Sequence, residues 1–304
     1  MILTSQNPSV LKGRSIHPNT VTTPDPHAES MTLKPATSNV KLGGFVKSLK
    51  SRLKQIVENL NSQGKTHRYG RFATKLNNTI THSPNGAKDW IGLPMYSLTL
   101  EERATCPDYC YHWRSCYGNS MGFAKRYDHS DPTLLAESIE QDLIYLAVIH
   151  PHGFVVRLHV LGEFFSIEYV QCWVTWLERY PMMKVFGYSA RLRNDAIGNE
   201  LRLVRQQYPD RFKIWWSNGG DEGYSANSFE SEIGQRQFKD GEAILCPHEI
   251  RHHDGLPLVK NCSSCGICFA LDDIGKHILF TEKAIDINDV KEMKRSYNLS
   301  LIHI

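Results

Sequence analysis

Residues 154–181 read FVVRLHVLGEFFSIEYVQCWVTWLERYP, and this stretch decides the fold class. Its first part, 154–165, is rich in β-branched and aromatic residues, which predicts a strand that ends at Gly162. A helix is predicted next, because Ser166 is a good N-cap and Pro181 stops the apolar pattern at the other end. The segment therefore predicts one strand followed by one amphipathic helix.

The same alternation continues on both sides of this stretch. A helix is predicted over 134–150, a second strand over 183–191, a second helix over 199–212 and a third strand over 213–220. Strands that alternate with helices of this length form βαβ units, which build a parallel sheet covered by helices. The sequence therefore predicts an α/β fold, with either an open doubly wound sheet or a parallel (β/α) barrel.

The composition is that of an ordinary globular protein. Of the 304 residues, 41% are hydrophobic and 22% are charged, and the formal net charge of +3 is too small to require a nucleic-acid partner. No apolar run approaches the ~18 residues of a membrane-spanning helix, and the N-terminus lacks the pattern of a secretory signal. We therefore expect a cytoplasmic protein without a membrane partner, in which clustered cysteines bind metal more often than they form disulfides.

The chain divides by composition into four parts. Residues 1–40 are rich in Ser, Thr, Pro and Asn and are expected either to be disordered or to precede the true start, for which Met31 is an alternative. Residues 41–87 are predicted to be a basic helical region, whose charged face is either solvated or in contact with nucleic acid or a membrane surface. Residues 88–240 form the predicted (β/α) core with the first cysteines, and residues 241–298 form a cysteine-rich segment.

The last six residues raise a separate expectation. Residues 299–304, LSLIHI, match one reading frame of the transposon mosaic-end sequence used in DNA library preparation. We therefore expect this tail to be a sequencing-adapter artefact and the protein to continue past Asn298. The alternative is an ordinary apolar C-terminus.

Four cysteines in the C-terminal part have the spacing of metal ligands. The stretch CPHEIRHHDGLPLVKNCSSCGIC, residues 246–268, ends in three cysteines that are separated by two residues each. A continuous CxxCxxC run favours an iron–sulfur cluster over zinc, because structural zinc sites usually pair two CxxC or CxxH knuckles. The predicted ligands, called here the second cysteine group, are Cys246, Cys262, Cys265 and Cys268.

An earlier stretch, ATCPDYCYHWRSCYG at 104–118, supplies three more cysteines in a C-x3-C-x5-C pattern. Three thiolates leave a tetrahedral site one ligand short, and the second cysteine group can complete a site of its own. One coordination position would then be open, as in catalytic metal sites. The alternative is a zinc site that His112 or another cysteine completes. The first cysteine group is Cys106, Cys110 and Cys116.

These motifs resemble those of radical-SAM enzymes, in which three cysteines of a CxxxCxxC loop hold a [4Fe–4S] cluster that binds S-adenosylmethionine. Leu161-Gly162-Glu163 resembles the Gly-Gly-Glu turn after the second strand of that barrel, with Leu in place of the first Gly. Ser217-Asn218 resembles its strand-ending Thr-Asn-Gly. The resemblance implies a parallel (β/α) partial barrel whose cofactor-binding residues are Gly162, Glu163, Ser189, Ser217 and Asn218.

The order of the motifs is similar to that of the phage-borne family called gene product 88. The stretches TCPDYCYHWRSCYG, RLHVLGEFF and the closing CSSCGICF carry this resemblance, which spans residues 88–270. It implies a phage, prophage or mobile-element origin, hence the cytosol of a host cell, and it brings no settled activity with it.

Three residues on or after the first predicted strand are candidates for catalysis. Arg157 and His159 alternate along the strand, so both side chains are expected on one face, either inside the barrel or outside it. Inside, they would bind a carboxylate or phosphate; otherwise Arg157 would only neutralise a buried carboxylate. Glu163 follows the strand at the sheet edge where barrel active sites lie.

Three functions are compatible with these motifs. The first is a radical-SAM-like enzyme with one or two [4Fe–4S] clusters, an electron donor and a small-molecule or nucleotide substrate. The second is a zinc-stapled nucleic-acid-binding or base-modifying protein that uses the basic region and stacks bases on aromatic side chains. The third is a scaffold with two structural metal sites. The aromatic side chains considered for stacking are Tyr109, Trp113, Trp215 and Trp216.

Overall fold

The computed structural model describes residues 72–83, 88–121, 124, 126–217, 225–270 and 275–299. The predicted disordered segment and most of the basic region therefore lie outside the described residues, as do residues 300–304 of the predicted artefact. Where the basic region is described, residues 73–79 form a strand rather than a helix, because they pair with the edge of the main sheet.

The main sheet has five strands in the order β1-β2-β3-β4-β5. Only the edge strand β1 is antiparallel to its neighbour, whereas the other four run parallel to one another, which confirms the predicted α/β class with a parallel sheet. The strands are β1 (Ala73–Thr79), β2 (Pro94–Ser97), β3 (Phe154–Leu158), β4 (Met183–Ser189) and β5 (Phe212–Trp216).

Three helices connect the parallel strands: α1 (Pro132–Ile149), α2 (Ile167–Arg179) and α3 (Ala196–Gln207). Side chains from all three pack into one buried core against the same face of the sheet. Strands that follow one another in both sequence and space, with their helices on one face, are compatible with part of a (β/α) barrel, whereas a doubly wound sheet carries helices on both faces.

Each of these helices begins at a residue whose side chain accepts from the first turn. Ser166 accepts from Tyr169 N, which confirms the predicted cap of α2. Asp131 caps α1 and Asp195 caps α3 in the same way. Short loops therefore connect β3 to α2 and β4 to α3, whereas the long segment 98–131 separates β2 from α1.

A second sheet follows, in which β6 (Ala226–Ser228), β9 (His277–Phe280) and β7 (Ala243–Leu245) are parallel and lie in that order. Trp216 and Ser225 form a parallel bridge between the end of β5 and this sheet. The remaining elements are α4 (Glu232–Lys239), β8 (Ile250–Arg251), the one-turn helix α5 (Cys262–Cys265), β10 (Ile285–Asp286), which pairs with β8, and α6 (Ile287–Ser296).

The two faces of β3 contact different parts of the chain. Phe154, Val156 and Leu158 belong to the core under the helices, whereas Val155 faces a smaller buried cluster on the opposite side. In that cluster Phe269 stacks on Trp90 with ring centroids 4.9 Å apart and meets Phe186 edge-on at 4.7 Å. The cysteine-rich segment therefore covers the face of the sheet that the helices leave open.

Among the described residues, no helix combines the length and the apolar character that crossing a bilayer requires.

Phe269→Ala tests how strongly the cysteine-rich segment is attached to the sheet. The fully buried ring fills the space between Trp90 and Phe186, so its loss should lower the free energy of unfolding by about 3–5 kcal/mol. Denaturant unfolding measures this change. Leu203→Ala, at a side chain that is 50% exposed on α3, should change stability by no more than about 0.5 kcal/mol. Equal losses in the two variants would contradict the packing described here.

Candidate metal centre

The first cysteine group lies in the loop that follows β2, the first of the parallel strands. All three thiols are half-buried. Burial raises the pKa of Cys106, and Glu163, Cys110 and Cys116 raise it further by repelling the thiolate, so these groups lie near one another. Inside the loop, Arg103 donates to Asn119 Oδ1 at 2.7 Å and to the carbonyl oxygen of Trp113.

This loop is attached to the ends of the next two strands. Thr105 precedes the first cysteine, and its hydroxyl accepts from Glu163 N at 3.0 Å and donates to Glu101 O at 2.7 Å. Arg191, just after β4, donates from Nε to Phe164 O at 2.7 Å and from Nη2 to Thr105 O at 2.9 Å. These bonds hold the cysteine loop against the Gly162-Glu163 turn.

Gly162 makes that turn possible in two ways. Its φ is +81°, in the left-handed region that favours glycine. A Cβ there would lie 2.5 Å from Leu100 Cβ and 2.8 Å from Thr105 Oγ1, so a larger residue cannot be placed without displacing the cysteine loop. The chain leaves β3 at Leu158, earlier than the predicted end at Gly162, because the turn begins before the glycine.

Glu163 is a buried carboxylate beside the first cysteine group. It accepts from Phe164 N at 2.8 Å and from Ala190 N at 2.5 Å. Burial raises its pKa to about 7, although these two N–H groups, Arg191 and the hydroxyl of Ser189 act in the opposite direction. The carboxylate is therefore fixed in orientation and balanced between its charged and neutral forms near neutral pH.

The predicted cofactor-binding residues come together as far as the structure describes them. Ser189 ends β4, is fully buried and lies beside Glu163. Ser217 follows β5 and donates from its backbone N to Ser189 O at 2.7 Å. Gly162, Glu163, Ser189 and Ser217 thus share the edge of the sheet at which the strands end, whereas Asn218 lies outside the described residues.

The second cysteine group is assembled from three local elements. Cys246 follows β7, Cys262 and Cys265 are the first and last residues of α5, and Cys268 lies in the 3-10 helix Ile267–Phe269. Gly266, with a φ of +71°, makes the turn between the last two, and a Cβ there would lie 2.2 Å from His82 O. Burial raises the pKa of Cys246 well above its usual value, and Cys268 and Cys262 raise it further, so these sulfurs are neighbours.

Backbone N–H groups surround the sulfurs in both groups. In four of the cysteines, burial raises the pKa of the thiol. The backbone N–H of the residue two positions later donates to the same sulfur and opposes this rise. Such donors stabilise thiolates and tune the metal that thiolates bind. The pairs are Cys110 with His112, Cys116 with Gly118, Cys246 with His248, and Cys265 with Ile267.

The spacing of the sulfurs distinguishes between two kinds of metal site. Tetrahedral zinc with Zn–S bonds of about 2.3 Å holds its sulfurs about 3.8 Å apart. Among the described residues, no three cysteine sulfurs lie within 4.8 Å of one another. A [4Fe–4S] cluster places each cysteine on a different iron and therefore holds the sulfurs further apart. In the described residues, neither group therefore has three sulfurs at the mutual spacing of a tetrahedral zinc site.

His112 is not positioned as an evident fourth ligand. Its Nδ1 lies 3.3 Å from the hydroxyl of Ser115. Burial lowers its pKa, and the charged groups that act on it are Glu282 and Glu230. Among the described residues, His112 forms no group with two cysteines whose ligand atoms all lie within 4.8 Å of one another.

Arg157 and His159 do not share a face, so that prediction is wrong. The strand ends at Leu158, and the alternation of side chains stops with it. His159 packs with Phe164 and bonds the hydroxyl of Tyr169 at 3.0 Å, both in the core under the helices. Burial lowers the pKa of His159 to about 3, so the ring is neutral there.

Arg157 faces the opposite side, toward the second cysteine group. Burial opposes its charge, but Cys262, Tyr117, Tyr188 and Cys268 raise its pKa, so these four groups are near enough to act on the guanidinium. Of the three candidate catalytic residues, Glu163 and Arg157 therefore lie beside cysteines, whereas His159 lies in the core under the helices.

Two of the four aromatic residues considered for base stacking are buried. Trp215 is 0% and Trp216 is 2% exposed, so the prediction that they stack on bases is wrong. Trp215 instead donates from Nε1 to Cys268 O at 3.1 Å. Trp113 is half-buried, and Tyr109 is exposed but donates its hydroxyl to Asp195 at 2.6 Å.

One group of potential ligands was not predicted from the sequence. Glu101, Asp128 and His129 place their ligand atoms within 4.8 Å of one another, and His129 Nδ1 lies 2.6 Å from Glu101 Oε2. These residues come from the two ends of the segment between β2 and α1 and have no motif spacing, so only the folded chain brings them together.

Comparison of the chain with protein-family models, with curated proteins and with solved structures finds no match. The resemblances to radical-SAM enzymes and to gene product 88 therefore stay predictions.

Gly162→Ala tests whether the turn is required for the cysteine loop. The substitution should lower the free energy of unfolding by more than the about 1–2 kcal/mol that a left-handed non-glycine residue costs, because the new Cβ also meets Leu100 and Thr105. Denaturant unfolding measures the difference.

Gly255→Ala is the matched control, because Gly255 has a similar φ of +78° but nothing within 4 Å of the added Cβ. If both variants lose the same stability, crowding at Gly162 has no role.

Proposed function

We propose that this chain is an iron–sulfur protein that acts as a radical-SAM-like enzyme in the cytosol of a cell that hosts a phage or mobile element. The first cysteine group would hold a [4Fe–4S] cluster with one iron free of protein ligands. The second cysteine group would hold an auxiliary cluster. The substrate would be a small molecule or a nucleotide, and an electron donor would be required.

The observation that carries this proposal is the position of the first cysteine group. Its loop follows the first parallel strand, and hydrogen bonds through Thr105 and Arg191 hold it against the Gly162-Glu163 turn after the next strand. A set of three sulfurs beside a buried carboxylate, at the end of parallel strands, is the arrangement expected of a catalytic site rather than of a closed structural one.

No three cysteine sulfurs of the described residues lie within 4.8 Å of one another, which favours iron–sulfur clusters over zinc. The backbone N–H groups against the sulfurs support thiolate ligands in both groups. Cys106, Cys110 and Cys116 would hold a cluster that, when reduced, would supply the electron for cleavage of S-adenosylmethionine. Among the described residues, Gly162, Glu163, Ser189 and Ser217 would line the place of that ligand.

The chain's own residues have three tasks in this proposal. Glu163 is held by two backbone N–H groups, and its carboxylate oxygens can accept further hydrogen bonds from an amino group of the ligand. Arg191 fixes the cysteine loop against the ends of β3 and β4. The cysteine-rich segment, anchored by Phe269, covers the face of the sheet opposite the helices and brings the second cysteine group to it.

The test begins with metal analysis of protein purified without oxygen. Two clusters predict about eight iron and eight sulfide per chain and a brown protein. About two zinc per chain with no iron would reject the proposal. Incubation with S-adenosylmethionine and dithionite should then yield 5′-deoxyadenosine, and iron-loaded protein that yields none would reject the enzyme while retaining the iron–sulfur protein.

Cys110→Ala should remove about four iron atoms, since one cubane loses a ligand, and should abolish 5′-deoxyadenosine formation. Cys172→Ala is the matched control, because Cys172 lies in α2, half-buried and outside both groups. It should retain all the iron and the activity. If Cys110→Ala retains full iron and activity, the first cysteine group does not hold the reactive cluster.

A further inference from the structure

Arg157 is a cation without a carboxylate partner in the described part of the chain. It lies in the middle of the sheet, in register with Ser97 on β2 and Phe186 on β4. Its side chain is half-buried, with most of its surface covered by protein. Its Nε is buried and has no hydrogen-bond partner among the described residues.

An enclosed guanidinium with an unpaired donor is costly, because it loses hydration without gaining an anion. The groups around it are the thiols of Cys262 and Cys268 and the hydroxyls of Tyr117 and Tyr188. None of these is an anion in its ordinary state at neutral pH. Cysteines that bind metal are thiolates, so metal binding would supply the missing negative charge.

Tyr188 connects Arg157 to one of these sulfurs. It lies on the same face of β4 as Phe186, and its hydroxyl donates to Cys268 Sγ at 2.8 Å. Tyr117, next in the chain to Cys116, donates its hydroxyl to the carbonyl oxygen of Val160 and is 54% exposed. Arg157 therefore lies beside Tyr188 and the second cysteine group.

We propose that Arg157 is the counter-charge of the metal held by the second cysteine group, and that its guanidinium N–H groups donate to the metal-bound sulfurs. This inference rests on the proposed metal in that group. Arg157 acts here as a positioning residue. A fixed positive charge and N–H donors beside a cluster favour the reduced, more negative state and raise the reduction potential.

The test compares Arg157→Met with Arg157→Lys in the Cys110→Ala chain. That chain is expected to lack the first cluster, so the measured signal comes from the second cluster alone. The midpoint potential of that cluster is measured by redox titration with electron paramagnetic resonance. Arg157→Met should shift the reduction equilibrium at least tenfold toward the oxidised form, and tenfold is 59 mV for one electron. Arg157→Lys keeps the charge and should shift it less.

Arg179→Met is the control for the loss of one positive charge. Arg179 is in the last turn of α2, at the opposite edge of the sheet from the cysteines, and pairs with Glu140 on the surface. The midpoint potential of the second cluster in the Arg179→Met variant should equal that in the parent chain. If Arg157→Met does not fold, Arg157→Gln, which is also neutral, replaces it in the same measurement.

Metal content separates the two proposals. A parent chain without metal in the second group rejects both. If that group holds zinc, the rate of zinc transfer to a chelator replaces the potential, and Arg157→Met should release zinc at least tenfold faster. If metal-loaded Arg157 variants give the same potential or zinc-release rate as Arg179→Met, Arg157 is not the counter-charge, although the metal proposal stays valid. Arg157 would then be available for an anionic group of a substrate.

Discussion

The parallel pairing of β3 with β2 on one side and β4 on the other is the constraint on which the rest of the structure depends. Parallel neighbours end at the same edge of a sheet, so the loops that leave them must meet there. The cysteine loop after β2, the Gly162-Glu163 turn after β3 and Ser189 at the end of β4 are adjacent for this reason. Their sequence positions are distant, but the register of three strands makes them neighbours.

The second consequence of this pairing is that β3 has two different faces. One faces the three helices, and the other faces the cysteine-rich segment. In a layered α/β domain the second face is normally covered by more helices or closed into a barrel. Here a segment with little regular structure takes that place, anchored through Phe269. Bound metal would add the cross-links that such a segment otherwise lacks.

Much of the fold was predictable because it depends on local signals. The alternation of strands and helices, the cap at Ser166 and the two cysteine groups follow from residue type and spacing. The end of β3, and hence the face of His159, was not predictable, because the turn is determined by contacts of Gly162 with Leu100 and Thr105. The burial of Trp215, the surroundings of Arg157 and the trio of Glu101, Asp128 and His129 likewise depend on distant parts of the chain.

The attachment between the two ends of the described chain has a consequence for the order of folding. Just after β1, Thr81 N donates to Ser263 O at 2.9 Å, and Gly266 lies against the backbone of His82. During synthesis these contacts cannot form until the C-terminal segment has left the ribosome, although the parallel strands β2–β5 are available much earlier. The parallel sheet can therefore assemble first as a unit. The contacts at the end of β1 form only after the cysteine-rich segment has been synthesised.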